Sequence, residues 1–424
     1  MSVNRFSFSS VDLFNRLLFL IGLSSCIPVL RIGHYSIYVW LMALTVSTLI
    51  ITGKLRMRLT PLMPFFFSAC ITFFFTNSTL PEAYSENNFK GLLSILLIFV
   101  VSTSLLVDSK DSERVISGVL VAGKINTIWI FLQTIFWGIL KIDLNDLIFN
   151  QTLHMVENAS QYKASGLVST GLCWNAGGIA AAIILVFALG NAQWKILALI
   201  SGFLTQSSTT IIGIVVVMLF FFFQYIASEK IKEKIKLQNF LISFIIIGIG
   251  IALLVFVPKI QSMLDRIIGT SVDRLNMMFN KGSQLDSSAA AHFNYYSNLP
   301  DLIHQMNNGQ LFFGHGIDCS GLPYTKLTRQ YFWLDSWFLE SDIANTFLGM
   351  GLLGIISLYF FLFYIAIKRW NDSKIVFIVI VSYIICGYFY DVQSVTYYWL
   401  LFIEFALLNY KAHMEERKKE LPNE

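Results

Sequence analysis

Long apolar runs alternate with short polar connections along nearly the whole chain of 424 residues. A helix needs about 20 apolar residues to cross the hydrocarbon core of a bilayer, and many of these runs approach that length. The pattern therefore predicts an all-α polytopic membrane protein with about twelve transmembrane helices. The predicted spans are 12–30, 36–52, 61–77, 91–107, 115–139, 171–190, 196–206, 209–227, 239–257, 341–367, 375–391 and 396–410.

Two polar segments are too long to be simple turns between spans. One is a loop at 141–170, and the other is a larger loop at 258–340, between the ninth and tenth spans, that contains amphipathic helical patterns. The predicted organisation is spans 1–9 within 1–257, the large loop, spans 10–12 within 341–410, and a charged tail at 411–424.

Basic residues in alternate connections predict the orientation of the chain. Short cytoplasmic loops carry an excess of lysine and arginine. The alternate loops that are richer in basic residues are therefore predicted to be cytoplasmic. This places both termini inside and both long loops away from the cytoplasm. The first apolar run is interpreted as an uncleaved helix. The alternate loops with few basic residues contain Arg31 and Lys90. The richer set comprises Lys54, Arg56, Arg58, Lys110, Arg114, Lys195, Lys230, Lys232, Lys234, Lys236, Lys368, Arg369, Lys374, Arg417, Lys418 and Lys419.

Composition narrows the class of protein further. Hydrophobic residues make up 55% of the chain and charged residues 13%, whereas soluble domains are about a quarter charged. The net charge of +4 comes from short clusters between apolar runs and does not indicate a nucleic-acid partner. The five cysteines show neither a disulfide framework nor metal-ligand spacing, and no phosphate-binding or dinucleotide-binding glycine motif occurs, so we expect no metal and no cofactor.

Three cations in the long loops are candidates for binding a diphosphate. Arg266 and Arg274 are eight residues apart, so they lie near one face of a helix. Guanidinium groups bind phosphate through paired, charge-assisted hydrogen bonds. Lys163 precedes the sixth span. The alternatives are local ion pairs with Asp265 and Asp273, contacts with lipid headgroups and, for Lys163, a simple interfacial position.

Two titratable residues of the large loop are candidates for catalysis. His292 titrates near neutral pH, and Glu340, at the mouth of the tenth span, is a candidate general base. The alternatives are an ordinary loop histidine and an acid that is favoured by the helix dipole, with Ser341 as the helix cap. Secondary candidates are Asp335, His315 and Tyr296.

Several stretches of the sequence resemble the O-antigen polymerase and O-antigen ligase superfamily. They are the large loop after the ninth span, AHFNYYSNLPDLIHQMNNGQLFFGHG within it, ESDIANTFLGMGLLGIISL at the tenth span, and TQSSTTIIGIVVV at the eighth. The chain departs from the family where arginines are common, with Lys163 in the first loop and Ser208 or Thr209 at the eighth span.

The resemblance implies a GT-C-like glycosyltransferase of the bacterial inner membrane with its active site facing the periplasm. Such an enzyme transfers a growing glycan from undecaprenyl diphosphate to the sugar of a lipid-linked repeat unit. The outer loops contain no tight Asp-x-Asp pair for a divalent metal, so a metal-independent reaction is expected, and a single displacement would invert the anomeric centre. Membrane lipids are expected partners, and the resemblance implies a chain-length regulator as a further partner. Arg266, Arg274 and Lys163 would hold the diphosphate, and His292 and Glu340 would act on the acceptor.

Three other functions remain open at this point. A ligase shares the architecture and the donor but transfers the glycan to lipid A core. A multi-spanning peptidoglycan glycosyltransferase also uses a polyprenyl diphosphate donor. A transporter or flippase would line its interior with ionisable groups, and the spans offer Lys124 and Arg16 as the only such groups that we predict.

Overall fold

The computed structural model describes residues 10–33, 35–154, 171–173, 176–205, 207–227, 287–328, 339–390, 392 and 398–410. These residues are mostly helical, with one short antiparallel ribbon in which β1 (Arg31–Ile32) pairs with β2 (Tyr35–Ser36). The helices are α1 (Ser10–Ser25), α2 (Ile37–Ile51), α3 (Met63–Thr76), α4 (Glu82–Ser104), α5 (Ser109–Ile135), α6 (Ala176–Leu189), α7 (Ala192–Leu204), α8 (Ser208–Ala227), α9 (Ser287–Gln305), α10 (Asn308–Phe313), α11 (Gly321–Thr328), α12 (Asp342–Arg369), α13 (Lys374–Phe389) and α14 (Trp399–Asn409). A 3-10 turn at Asn77–Thr79 and π-helical turns at Phe136–Leu140 and Asp146–Thr152 complete the described elements.

The helical character predicted from hydropathy is confirmed, and the apolar helices are compatible with a membrane protein. Within the described ranges, three helices are long and apolar enough to cross a membrane: α4, α5 with its π-helical extension, and α12. Seven further apolar helices are 10–17 residues long. Every predicted span overlaps a helix except the one at 239–257, which lies outside the described residues. The number of twelve crossings stays a prediction.

The interior of the bundle is built around α6 and α14. Residues 177–188 of α6 and 399–408 of α14 are all buried, as expected for helices that are apolar on every side. α14 packs against α4, α5 and α12. Outer helices instead expose large side chains, such as Phe74 on α3 at 78% and Ile51 on α2 at 84%, which suits contact with lipid tails.

α1 and α5 form the most extensive helix pair in the structure. A side chain on Gly118 would collide with the carbonyl of Phe19, and one on Gly22 would collide with the carbonyl of Val115. Small residues of this kind let two helix backbones approach closely, as they do in membrane helix pairs.

α12 begins with the predicted cap and is then interrupted. The Ser341 side chain accepts a hydrogen bond from the Ala344 N–H at 3.4 Å, which confirms the predicted role of Ser341 as N-cap. Ten residues on, Gly351 has φ 66° and ψ −163°, which is not helical. This break exposes backbone carbonyls of the preceding turn, and another part of the chain uses them.

Candidate functional site

The segment from Gly314 to Ser320, here called the GHG loop, docks on the break in α12. The backbone N–H groups of His315 and Gly316 donate to the carbonyls of Leu348 and Gly349, both at 2.9 Å. The carbonyls released by the interruption of α12 therefore have partners, as buried backbone groups require. Residues about 30 positions apart in the sequence are joined in this way by a short ladder of backbone hydrogen bonds.

Glycine is needed on both sides of this contact. Gly314 has φ 73° and Gly351 has φ 66°, a region that residues with a side chain rarely adopt. A Cβ on Gly314 would collide with the carbonyl of Gly349, and a Cβ on Gly351 would collide with the carbonyl of Phe312. Gly314 of the loop and the closely spaced glycines of α12 therefore pack directly against each other.

Asn88 on α4 holds the next residue of the GHG loop. Its side chain is fully buried, and its Oδ1 accepts the backbone N–H of Ile317 at 2.7 Å. Its Nδ2 makes longer contacts with Thr76 Oγ1 at 3.4 Å and Asn77 Oδ1 at 3.3 Å. The loop is consequently tied to α4 as well as to α12, and it forms part of the interior.

Asp318 combines a positive φ with a buried carboxyl group. It has a positive φ of 54° and is 3% exposed. Tyr398 OH donates to Oδ1 at 3.0 Å, while Oδ2 has no hydrogen-bond partner among the described residues. Burial raises the pKa of Asp318 to about 7, and hydrogen bonds from Tyr398 and Asn345 only partly offset this. Although the Asn345 amide approaches the carboxyl group closely enough to lower its pKa, it does not reach Oδ2 with hydrogen-bond geometry. Asp318 can therefore gain or lose a proton near neutral pH.

Ser320 links the loop to the start of α12. Its hydroxyl donates to Asn345 Oδ1 at 2.5 Å and accepts the backbone N–H of Leu339 at 2.8 Å. Ser320 is fully buried. Because Leu339 precedes Glu340, the loop also determines where the backbone that carries Glu340 enters α12.

Glu340 lies in a group of polar and aromatic residues that we call the α12 mouth, formed by Tyr296, Glu340, Ser341, Tyr388 and Tyr390. Glu340 is half-buried, and its Oε1 accepts a hydrogen bond from Tyr390 OH at 3.3 Å. The rings of Tyr296 and Tyr388 stack with centroids 4.6 Å apart and planes 13° apart. The Tyr388 side chain is 43% exposed, so the mouth presents an aromatic surface beside a carboxylate.

Tyr296 connects three elements at this mouth. Its hydroxyl donates to the Tyr388 carbonyl, and it lies 2.7 Å from Ser341 Oγ, which then acts as the donor of that second bond. Burial raises the pKa of Tyr296 to about 12; the Ser341 hydrogen bond lowers it, and Tyr388 and Asp342 raise it. Tyr296 is therefore neutral at physiological pH and serves as a donor.

The structure brings some of the predicted site residues together. Glu340 and Tyr296 both lie at the α12 mouth. Tyr296 OH is 2.7 Å from Oγ of Ser341, the residue that follows Glu340, and Glu340 accepts a hydrogen bond from Tyr390. His315 lies in the GHG loop, where its Nδ1 is 3.2 Å from the Leu348 carbonyl, so this nitrogen carries the proton when the bond forms. Burial lowers the pKa of His315; the bond to Leu348 raises it, and Lys326 lowers it further. His315 is thus held neutral beside the break in α12.

Other predicted site residues lie outside what the structure describes. His292 belongs to α9, but its side chain is outside the described part of the chain. The remaining residues of this group are Arg266, Arg274, Lys163 and Asp335.

Three polar residues of the interior were missed by the sequence analysis. Asn88 and Asp318 gave no local signal, because neither hydropathy nor spacing shows that they are buried. Glu404 could have been found, since it is the single acid within the apolar run 396–410. The prediction that Lys124 and Arg16 are the only ionisable residues of the spans is therefore wrong.

Glu404 lies in the middle of α14 and is fully buried. Neither of its carboxyl oxygens has a hydrogen-bond partner among the described residues. An isolated charge in such a place is very costly, so a group of this kind is normally neutral or paired. Among the described residues, no group of three or more histidine, cysteine, aspartate and glutamate side chains is arranged to hold a metal ion.

Neither a known family model nor a curated protein matches this chain in sequence. The functional argument therefore depends on the residues and their geometry.

Proposed function

We propose that this protein is a surface-polysaccharide polymerase of the O-antigen polymerase type. In this proposal it transfers a growing glycan from undecaprenyl diphosphate to a sugar of a lipid-linked repeat unit. The observation that carries the proposal is the contact between the GHG loop and the broken α12. Both contacting segments belong to stretches that carry the resemblance. Glu340 lies just before the N-terminus of the same helix, α12.

The proposed setting is the bacterial inner membrane. The chain crosses it about twelve times, with a GT-C-like arrangement and both termini in the cytoplasm, so the α12 mouth faces the periplasm. The three long apolar helices and the exposed apolar side chains of the outer helices support a membrane location. The orientation follows from the excess of basic residues in alternate connections.

In the proposed reaction, Glu340 accepts the proton of the acceptor hydroxyl. The hydroxyl oxygen forms a bond to the anomeric carbon of the donor, and the bond from that carbon to the diphosphate oxygen breaks. The lipid diphosphate leaves with the bonding electrons. Because the hydroxyl attacks from the opposite side, the configuration of the anomeric carbon is inverted. Tyr390 OH, which donates to Glu340 Oε1 at 3.3 Å, orients the carboxylate for this step.

The stacked tyrosines of the α12 mouth are suited to hold the acceptor sugar. One face of a pyranose ring is rich in C–H groups and packs on an aromatic ring, while its hydroxyls need polar partners. Tyr388 offers the exposed ring, and Glu340 offers the acceptor for a hydroxyl. Arg266, Arg274 and Lys163 are proposed to neutralise the leaving diphosphate, and His292 is proposed as a second group acting on the acceptor.

The test is a polymerisation assay with purified protein. The protein in detergent is mixed with lipid-diphosphate-linked repeat units in the presence of EDTA, and the products are separated on a gel. A ladder of products is expected. Transfer only when lipid A core is added would identify a ligase instead, and no transfer to either acceptor would contradict the proposal. Retained anomeric configuration in the product would contradict the single displacement.

Variants of the α12 mouth then test the assigned roles. Glu340→Gln is expected to reduce turnover by about 100-fold or more, the usual contribution of a general base. Tyr388→Ala is expected to raise KM for the acceptor more than it lowers kcat. Glu82→Gln is the matched control for the first variant, because Glu82 is an exposed acid at the start of α4. Tyr364→Ala is the control for the second, because Tyr364 is 38% exposed on α12.

A second candidate function, transport of a lipid-linked glycan, is favoured by two observations. α12 is discontinuous at Gly351, and Glu404 is a buried acid within an apolar helix. Broken helices and interior ionisable groups are common in secondary transporters. Movement of fluorescent lipid-linked glycan across vesicles without any polymerisation would favour this function. Glu404→Gln would then abolish the movement, whereas Glu340→Gln would leave it intact.

A further inference from the structure

α1 and α5 line an open cavity of about 470 Å³ at one end of the bundle. Its lining consists of Asn15, Arg16, Phe19 and Leu20 from α1 and Arg114 from α5. The volume lies within the range typical of sites for small molecules. The lining places two guanidinium groups and an amide next to an aromatic and an aliphatic side chain.

The cavity belongs to the basic end of the bundle. Lys54, which follows α2, lies with its Nζ 5.4 Å from the ring centroid of Phe14 on α1. The Arg56 carbonyl accepts a hydrogen bond from Ser104 at the end of α4, at 2.9 Å. The N-terminal part of α1, the end of α2, the end of α4 and the start of α5 are therefore neighbours. In the proposed orientation, this end of the bundle lies at the cytoplasmic boundary of the bilayer.

The cavity lies beside the close approach of α1 and α5, where Gly22 and Gly118 allow the two backbones to touch. Arg16 and Arg114 line it toward the basic end. Both arginine side chains are exposed, and Leu20 is 41% exposed. Arg114 has an acidic neighbour, Asp111, within electrostatic range, but Asp111 does not line the cavity.

We propose that this cavity binds the headgroup of an anionic phospholipid. Two guanidinium groups from different helices can share one phosphate through charge-assisted hydrogen bonds. The exposed apolar side chains beside them can pack on the start of the acyl chains. Basic pockets between membrane helices bind lipid headgroups in this manner. The site would fix the α1–α5 pair in the membrane, and it does not depend on glycosyl transfer.

The test measures lipid binding to the full-length protein in a neutral detergent by native mass spectrometry. Phosphatidylglycerol and phosphatidylcholine with the same acyl chains are titrated separately. The expected result is at least one phosphatidylglycerol bound with higher affinity than phosphatidylcholine. The double variant Arg16→Gln/Arg114→Gln is expected to weaken phosphatidylglycerol binding roughly 10- to 30-fold.

The matched control is Arg56→Gln/Arg58→Gln, which removes the same charge from exposed residues of the same basic end. It is expected to leave phosphatidylglycerol binding nearly unchanged. An equal loss in both double variants would overturn the proposal, because binding would then depend on overall charge. The variant Arg16→Lys/Arg114→Lys keeps the charge but loses the paired hydrogen bonds, and an intermediate affinity is expected.

If the double variant fails to fold, lipid binding by the wild-type protein alone still tests the proposal. Equal affinity for phosphatidylglycerol and phosphatidylcholine would overturn the proposal. Displacement of phosphatidylglycerol by millimolar inorganic phosphate would do so as well, because the cavity would then take a free anion and not a lipid. Phosphatidylglycerol binding that resists inorganic phosphate is the expected result.

Discussion

Asn126 on α5 and Asn88 on α4 are both fully buried, and each accepts the backbone N–H of a residue from a non-helical segment at 2.7 Å. The donor is Leu172 for Asn126 and Ile317 for Asn88. The two contacts begin alike, since a buried amide holds a connecting segment against the helices in both. They differ in what surrounds the amide.

Around Asn126 the polar groups are paired. Its Nδ2 donates to the Cys26 carbonyl at 2.8 Å and to the Ala122 carbonyl at 3.1 Å. Nearby, Asn145 Nδ2 donates to the Gly171 carbonyl at 2.8 Å. Such complete pairing is what a structural contact requires, because buried polar groups are costly unless they are hydrogen-bonded.

Around Asn88 the pairing is incomplete. Asp318 has one buried oxygen without a hydrogen-bond partner among the described residues, and α12 is interrupted at Gly351 to accommodate the GHG loop. Strained backbone and unpaired buried polar groups are energetically costly, and they cluster at functional sites. From this comparison we propose a structural role for the Asn126 contact and a functional role for the surroundings of Asn88.

The largest expected loss of stability distinguishes Gly314, near the Asn88 contact, from Gly171, at the Asn126 contact. Gly314→Ala places a methyl group against the Gly349 carbonyl at φ 73°, and we expect a loss of roughly 3–5 kcal/mol in the free energy of unfolding. Gly171→Ala has a similar φ of 57°, but its methyl group would meet a side-chain atom, Asn126 Oδ1, at 2.6 Å, which can shift only by weakening its bond to the Leu172 N–H. We expect a loss of about 2–3 kcal/mol there.

Thermal unfolding in detergent measures both glycine variants. Gly53→Ala is the control, because Gly53 has φ 65° with no atom within 4 Å of the added methyl group, so it reports the backbone strain alone. If Gly314→Ala were no worse than Gly53→Ala, the tight contact between the GHG loop and α12 would be refuted.

The next effect compares the two asparagines themselves. Asn126→Ala leaves the Leu172 N–H and the Cys26 carbonyl without their partner, and we expect a loss of about 2–3 kcal/mol. Asn88→Ala removes one short bond and two long ones, so about 1–2 kcal/mol is expected. In the polymerisation assay the order reverses, because the Asn88 variant displaces the GHG loop. Equal activity of the two variants would contradict the functional role of the Asn88 contact.

A smaller effect depends on pH and belongs to Asp318. Its pKa is raised from 3.8 to about 7 in the folded protein, so the folded state binds the proton more tightly than the unfolded state. The associated stability is present below pH 4, is lost as the pH rises to about 7, and stays constant above. Asp318→Asn has no such proton, so its free energy of unfolding relative to wild type is expected to rise by roughly 2–3 kcal/mol between pH 5 and pH 8. The cost of burying its amide is the same at both values of pH and does not affect this change.

Melting temperatures of Asp318→Asn and wild type at pH 5 and pH 8 measure this difference. Both proteins share all other titrating groups, so the change in their difference isolates Asp318. Asn145→Asp, at the contact where every amide atom is paired, is the comparison variant and is expected to be destabilised at both values of pH. A constant difference between Asp318→Asn and wild type would mean that Asp318 does not titrate in this range.

The smallest expected effect lies at the α12 mouth. Tyr296→Phe removes a hydroxyl that bonds to Ser341 and to the Tyr388 carbonyl, and about 1 kcal/mol is expected, since water can replace the hydroxyl at this partly exposed position. Trp129→Phe removes the bond to Asn145 at 2.7 Å and is the counterpart near Asn126. Chemical denaturation measures both. Only the Tyr296 variant is expected to alter KM for the acceptor.

Much of the helical framework was predictable from local sequence. Apolar runs of sufficient length form helices in a membrane because backbone groups have no other partner there. Ser341 was recognisable as a cap, since a short side chain before an apolar run satisfies the first free N–H groups. The tripeptide Gly314–Gly316 was recognisable as a turn for a similar reason, because glycine adopts a positive φ without strain.

The site itself was only partly predictable. Glu340 and Tyr296 were both named from the sequence, but the bonds that bring Tyr296 to Ser341 and Tyr388 depend on how α9 packs near α12 and α13. Asp318 looks like an ordinary loop acid, and its raised pKa arises from burial by α4, α12 and the residues before α14. The break at Gly351 was also hidden, because three closely spaced glycines fit a tight helix contact as well as an interruption.

The sequence by itself determined the class of the protein, its apolar segments and the distribution of its basic residues, since these follow from composition and local periodicity. The tertiary structure alone decided that the GHG loop lies inside the bundle on the α12 break, that Asp318 and Glu404 are buried, and that Arg16 and Arg114 share one cavity. The physical reason is that burial and proximity arise from contacts between distant segments, whose cost and benefit no local pattern records.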